Sequence, residues 1–245
     1  MQKLMSHMRS AMQQYNMIDE GDKVAVGLSG GKDSVALLVA LANLRRFYPN
    51  RFDLVAVTLD PCFNNEPGDY SALQTLCDEL EIPYILKRTE LGKVIFETRK
   101  EKNPCSLCAR MRRGALHDAA KAAGCNKLAL GHHMDDAAET FLMNLLNGGH
   151  IGCFSPVTYM SRKDITVIRP MIFCRESEPA RVCRKLELPV VKSQCPADGA
   201  TERQHVKELL TALEKDYGDV RSKIICAMQD KHIDRWGVGD GIENY

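Results

Sequence analysis

The stretch "VAVGLSGGKDS" (24–34) joins an apolar run to two adjacent glycines, a lysine and an aspartate, and the helix-forming "VALLVALA" (35–42) overlaps its end. An apolar run that breaks at glycine and resumes with helical character is the start of a strand–turn–helix unit. In a parallel sheet, the carboxyl end of such a strand and the N-terminus of the next helix form the usual ligand crevice. The helix start offers unpaired N–H groups and a partial positive charge, which suit a phosphate. Gly30 and Gly31 let the backbone come close without a Cβ in the way. Ser29 and Ser34 supply hydroxyls, and Lys32 supplies a full charge. A Walker loop requires G-x-x-x-x-G-K-[ST]. Here Val26 stands where its first glycine belongs, and Asp33 follows the lysine. The loop is a phosphate cradle, but not a kinase-type one.

Outward from this loop the same rhythm repeats. Strands are expected at "KVAVGL" (23–28), "LVAVTLD" (54–60), "PYILKR" (83–88), "NKLALGHH" (126–133) and "TVIRPM" (166–171), with helices over about 33–46 and 70–81. Short apolar strands alternating with helices predict an α/β fold, a parallel sheet sandwiched by helices. The first segment repeats Leu4, Met5, Met8, Met12 and Tyr15 near helical spacing, as an amphipathic helix would. From Thr201 to about Asp230 the pattern gives two helices broken near "YGD" (217–219). The expected organisation is an N-terminal helix (1–20), a central nucleotide-binding domain (21–200) and a C-terminal helical extension (201–245).

Composition narrows the function classes. The chain has 245 residues, 44% hydrophobic and 27% charged, with a net charge of +1, so any nucleic-acid site must be local rather than global. The longest apolar stretch, 35–42, is far short of a membrane span, and no signal-peptide core opens the chain. The expectation is a cytoplasmic protein with no membrane partner. In that reducing compartment ten cysteines do not suggest a disulfide framework; they are metal ligands or buried apolar fillers.

A second turn, "LGHHMDDAAET" (130–140), also follows a strand and opens a helix. Asp135 or Asp136 can cap that helix, and Asp135 and Glu139 share one of its faces. ATP arrives with Mg²⁺, a hard cation satisfied by a few carboxylates and phosphate oxygens. Asp33 and Asp135 are the candidate Mg²⁺ carboxylates, and Lys32, Asp33 and Asp135 the candidate catalytic groups. Ser29, Gly30, Gly31, Lys32, Asp33, Ser34, Asp60 and Gly131 form the candidate ATP site. His132 or His133 could act as a general acid–base or be a hydrogen-bonded bystander.

"NPCSLCARMRRGAL" (103–116) carries Cys105 and Cys108, a C-x-x-C turn whose thiolates can face one ion. It could be half a zinc site, a redox pair or part of an iron–sulfur cluster. No second C-x-x-C exists; Cys195, in the polar turn "KSQCPADG", is the most suggestive further thiol. Three thiolates on a four-iron cluster would leave one iron open for an exogenous sulfide. Arg110, Arg112 and Arg113, beside the thiols, form a local footprint for RNA phosphates.

The residues "SGGKDS" resemble the PP-loop of the N-type ATP pyrophosphatases. Together with "CSLCARMRRGAL", "LGHHMDDAAETFLMNLLNGG", "VIRPMIFCRE" and "KELLTALEKDYGDVRSKIICAMQD", in that order, they resemble the TtcA family of tRNA 2-thiocytidine synthetases over nearly the whole chain. The resemblance implies an adenine nucleotide α-hydrolase-like (HUP, Rossmann-like) fold, ATP, Mg²⁺, and a [4Fe–4S] cluster on Cys105, Cys108 and Cys195, with zinc as the competing metal. It implies cytidine 32 of a tRNA as substrate, and as partners a sulfur donor (a cysteine desulfurase or free sulfide) and an electron donor; a homodimer is compatible with it. The chain departs from the family pattern in having Cys195 alone in place of a second Cys pair, and "HIGCFSPVTYMSRKDIT" (150–166) in place of a proline-rich stretch. The rival expectations are a PP-loop thiolase for another base, an adenylating ligase or amidase without sulfur chemistry, and a nucleotide or metal sensor without turnover.

Overall fold

The computed structural model describes residues 1–63, 66–95, 104–192 and 202–237, leaving out the side chains of 104–106. Its centre is a six-stranded sheet formed by β1 (Asp22–Gly27), β2 (Phe52–Asp60), β3 (Tyr84–Arg88), β4 (Lys127–Ala129), β5 (Val157–Met160) and β6 (Ile165–Ile168). The order is β3-β2-β1-β4-β6-β5. All neighbours are parallel except β5, which pairs antiparallel to β6. Five parallel strands match the expectation. The sixth, "VTYM", is a half-buried edge strand in a hairpin, too short and too mixed in character to register as a strand in the sequence.

Alternate residues of the central strands feed two cores. Val24, Val26, Leu54 and Ala56 face α2 (Lys32–Leu44), while Ala25, Val55 and Val57 face α5 (Pro104–Ala122) through Ala119 and Ala120. Burial on both faces is why these strands are continuously apolar. Against α2 lies α1 (Gln2–Gln14), burying Leu4, Met8, Ala11 and Met12 on one stripe. The remaining helices are α3 (Ser71–Glu79), the short α4 (Leu91–Lys93), α6 (Met134–Gly148), α7 (Ser177–Lys185), α8 (Glu202–Tyr217) and α9 (Val220–Asp230). The break between the last two follows from Gly218, at φ +70°, and from Asp219, whose carboxylate caps α9 by accepting from the Ser222 N–H at 3.0 Å. No helix among the described residues is long and apolar enough to cross a membrane.

Chain order reverses at β1, whose neighbours are β2 on one side and β4 on the other. Val26 pairs with Ala129, so the turns leaving β1 and β4 emerge side by side. A reversal of this kind opens a crevice at the carboxyl ends of the strands. Both motifs found in the sequence therefore meet at one place.

Candidate active site

The first turn is tied together by its own serines. Ser34 Oγ accepts from the Ser29 N–H at 3.1 Å and donates to the Gly31 carbonyl at 2.9 Å. Gly30 sits at φ +86°, and a Cβ there would lie 2.8 Å from the Cβ of Val191. Gly31 then opens α2 with no side chain accepting from the helix start. The uncapped end, with Lys32 in its first turn, keeps its donors available for an anion.

The Lys32 ammonium lies 3.0 Å from Asp33 and 3.2 Å from Glu176. Burial opposes its charge, but the hydrogen bonds and attraction of those two carboxylates outweigh burial and raise its pKa. Lys207, on α8, holds the other oxygen of Glu176 at 2.5 Å. Burial works against the Glu176 carboxylate, yet Lys207 and Lys32 together hold its pKa down to about 2. Asp33 Oδ1 is buried with no hydrogen-bond partner. An orphaned carboxylate oxygen beside a phosphate cradle fits a divalent cation, which would complete its coordination.

Three hollows converge here. A cavity of about 400 Å³ lies between the carboxyl ends of β1 and β4 and the facing side of α5, with apolar walls from Val57, Leu116, Leu128 and Leu130 and polar groups from Ser29, Asp33, Arg112, Arg113, His117 and His132. A neighbouring hollow of about 440 Å³ shares Ser29 and Arg112 and adds Gly31, Tyr70 and Lys192. A third, of about 240 Å³, is bounded by Lys32, Asp33, Asp136, Glu139, Glu176, Arg203 and Lys207. An apolar slot with a basic, glycine-lined end is the shape a purine nucleotide requires. Gly131 makes the junction: a Cβ there would be 3.2 Å from the Ser34 nitrogen and the Asp33 carbonyl carbon.

The second turn is built differently. His133 caps α6 by accepting from the Asp136 N–H at 3.3 Å, and Asp136 accepts from the His133 N–H at 2.9 Å. The cap expected from Asp135 or Asp136 is thus a reciprocal box of His133 with Asp136. Asp135 lines none of the three hollows: its oxygens meet Arg221 Nε at 3.2 Å and the Glu176 N–H at 2.7 Å. The acids that share a hollow with Asp33 are Asp136, Glu139 and Glu176, the first two reached by Arg203. Asp60 is likewise outside the cavity. Its carboxylate accepts from the Cys62 and Gly68 N–H groups, each at 3.0 Å, and so holds the loop whose Pro61, Phe63 and Gly68 bound the second hollow.

His132 stacks on Phe154 at 5.1 Å, and burial, with help from Arg169, drives its pKa down to about 4. Burial also lowers the pKa of His117, whose Nε2 has no partner. Both are neutral imidazoles on the cavity wall. Arg112 and Arg113, expected to meet RNA, line the nucleotide-sized cavity, whereas Arg110 is exposed. Cys108 is buried with Leu91, Ile95 and Leu107. The Cys105 side chain and all of Cys195 lie outside the described residues, so the expected cluster set is represented here by Cys108 alone. His117, Glu176, Arg203 and Lys207 were not expected from the sequence. Glu176, which ends "VIRPMIFCRE", and Lys207, which opens "KELLTALEKDYGDVRSKIICAMQD", stood in quoted motifs without being singled out; His117 and Arg203 stood in none.

A family model described as a PP-loop domain matches residues 3–213. A tRNA-cytidine(32) 2-sulfurtransferase from Pelobacter propionicus is 40% identical over 225 residues, 91% of this chain and 83% of the relative. The chain belongs to that family. A second member of the tRNA-cytidine(32) 2-sulfurtransferase family, from Syntrophotalea carbinolica, is 38% identical over 91% of this chain and 88% of its own length. Among solved structures, the U34-tRNA thiolase NcsA from Methanococcus maripaludis, with its [4Fe-4S] cluster, aligns at 25% identity and TM-score 0.73, over 93% of this chain and 78% of that one. An NH3-dependent NAD synthetase from Campylobacter jejuni, at 17% identity and TM-score 0.50, shares the fold. The chain is thus a PP-loop, adenine nucleotide α-hydrolase-like α/β protein from a family of sulfur-transferring enzymes, as the motif resemblance implied.

Proposed function

We propose that this protein is an ATP-dependent tRNA sulfurtransferase that converts a tRNA cytidine, cytidine 32, to 2-thiocytidine. The observation that carries the proposal is the course of α5. Its first turns hold Cys105 and Cys108, and one turn further on Arg112 reaches the wall of the nucleotide-sized cavity beside Ser29. At a rise of about 1.5 Å per residue, Cys108 and Arg112 are roughly 6 Å apart along the axis and share a face. One rigid element therefore joins a thiol site to a phosphate site, as consecutive activation and sulfur insertion require.

In this reading ATP lies with its base in the apolar slot and its β- and γ-phosphates on the uncapped start of α2, held by Ser29, Gly30, Gly31, Lys32 and Ser34. The cytidine C2 oxygen attacks the α-phosphate, the bond to the bridging oxygen breaks, and pyrophosphate leaves into the Lys32 cradle. Attack of a sulfur nucleophile at C2 then releases AMP. Lys32 acts on charge that accumulates in the leaving group, and the neighbouring carboxylates of Asp33 and Glu176 keep its ammonium aimed, with Lys207 balancing Glu176. Asp33, with its unpartnered oxygen, would hold Mg²⁺, which spreads the phosphate charge. Arg112 and Arg113 serve the AMP moiety or the adjoining tRNA phosphate, and Arg110 the tRNA backbone. Cys105, Cys108 and Cys195 would hold the [4Fe–4S] cluster, which supplies an activated sulfide when bound. A sulfur donor and an electron donor complete the cycle.

The test is an anaerobic assay with ATP, Mg²⁺, sulfide and tRNA lacking the modification. AMP and pyrophosphate should form in equal amounts and only with tRNA present, and Cys105→Ser should abolish 2-thiocytidine. ADP as product, or thiolation that survives Cys105→Ser, would overturn the reading.

A further inference from the structure

Away from the nucleotide site, His7 on α1, Cys174 in the turn after β6 and Glu178 in the first turn of α7 converge, with their ligand atoms all within 4.8 Å of one another. His7 Nδ1 lies 3.1 Å from Glu178 Oε1, yet His7 Nδ1 has no hydrogen-bond partner. Glu178 is 5% exposed, and its Oε2 is buried with no partner either. A buried carboxylate oxygen left unsatisfied is costly. Two acceptor-bearing groups in contact but misaligned for a hydrogen bond leave room for a cation shared between them.

The existing partners of these groups are distant or exposed. Lys3, an exposed side chain, is 3.9 Å from Glu178 Oε1, the Arg175 N–H reaches the same oxygen at 3.4 Å, and the Cys174 thiol faces the Leu4 carbonyl at 3.8 Å. Two of the three groups also border a way in, with Cys174 buried behind them. His7 and Glu178 line a hollow of about 500 Å³ between α1 and α9, together with Gln14, Ser222 and Cys226. It has no lining residue in common with the three hollows around the PP-loop.

We propose that His7, Cys174 and Glu178 bind a zinc-class divalent ion, with the fourth position open to this hollow. One imidazole, one thiolate and one carboxylate give a charge of −2 for a doubly charged ion. A set with sulfur and nitrogen selects zinc over the oxygen-seeking Mg²⁺ or Ca²⁺. Around tetrahedral zinc, with bonds of about 2.0–2.3 Å, ligand atoms stand roughly 3.3–3.8 Å apart, so the set must close by about 1.5 Å at most, while the His7–Glu178 pair opens slightly. Binding releases the Cys174 proton to solvent and involves no electron transfer. The ion would pin the start of α7, two residues from the Glu176 that faces Lys32. The site is independent of the cysteines assigned to the cluster.

The test titrates the full chain, carrying Cys105→Ser, Cys108→Ser and Cys195→Ser so that the other thiol set takes up no ion, with Co²⁺ and then Zn²⁺. One equivalent should bind, with a thiolate-to-Co²⁺ charge-transfer band that Zn²⁺ removes. Adding Cys174→Ser should abolish the band and weaken Zn²⁺ on the order of 100-fold, and adding His7→Gln should weaken it about 10-fold or more. His7 is partly exposed, so its variant reads the site even if the buried Cys174→Ser chain folds poorly. Failure of the parent to bind one equivalent, or parent affinity in either variant, would overturn the proposal. Neither result depends on ATP, tRNA or the cluster.

Discussion

The turns that leave β1 and β4 stand side by side and end in opposite ways. At 28–32 the helix start is left bare: Gly31 precedes α2 without a side-chain cap, and Lys32 adds an ammonium. At 130–134 the helix start is closed by its own residues, His133 and Asp136 in a reciprocal box. A helix start whose donors are already used cannot offer them to a phosphate. The pair thus divides the work. In the proposed function the β1 turn would cradle the anion, and the β4 turn brings Gly131 against the β1 turn while presenting Asp136 and Glu139 to the hollow that holds Lys32. Similar strings of glycine, acid and strand acquire different roles through one feature, the state of the helix cap.

Breaking the open turn should have the largest effect. Lys32→Ala should cut tRNA-dependent pyrophosphate release by about 10³-fold, on the scale of losing one preorganised electrostatic contact, and Asp33→Ala should abolish it comparably. Circular dichroism of both should match the parent. The closed side should respond as structure instead. Asp135→Asn leaves the buried Arg221 with Glu214 as its remaining carboxylate and should cost about 2 kcal/mol in urea unfolding, with the Mg²⁺ concentration for half-maximal activity unchanged. A shifted Mg²⁺ requirement at full stability would return Asp135 to the cation side.

A smaller effect concerns His132. Its folded pKa, near 4, lies below the ordinary value of 6.5, so between these values the unfolded chain binds the extra proton. Stability should therefore fall as pH drops from about 6.5 to 4, by up to about 1.4 kcal/mol per unit, with no further contribution below. His132→Gln should flatten that part of the curve, measured by denaturant midpoints at each pH. The smallest effect probes the junction of the two turns. Gly131→Ala should cost about 1 kcal/mol, as Asp33 and Ser34 shift by a few tenths of an ångström, and should raise the KM for ATP more than it lowers kcat.

Local features of the site were legible and distant ones were not. β1 and β2 announce themselves because strands buried on both faces are continuously apolar, and the glycines after β1 mark the cradle without any alignment. β5 escaped because an edge strand alternates in burial and is only four residues long. Helical spacing correctly put Asp135 and Glu139 on α6 but could not say which face meets Asp33, since that is decided by Arg221 on α9. The basic run of α5 gave the charge but not its direction, and burial turns Arg112 toward the cavity. Glu176 and Lys207 became visible only when α7 and α8 were folded against the start of α2.

In the proposed function the bare turn activates a tRNA cytidine for sulfur insertion. The most direct measurement is nucleoside analysis of tRNA from cells lacking this gene, complemented with the parent or with Lys32→Ala. 2-Thiocytidine should disappear in the deletion, return with the parent and fail to return with Lys32→Ala. Unchanged 2-thiocytidine in the deletion, or its full restoration by Lys32→Ala, would contradict it.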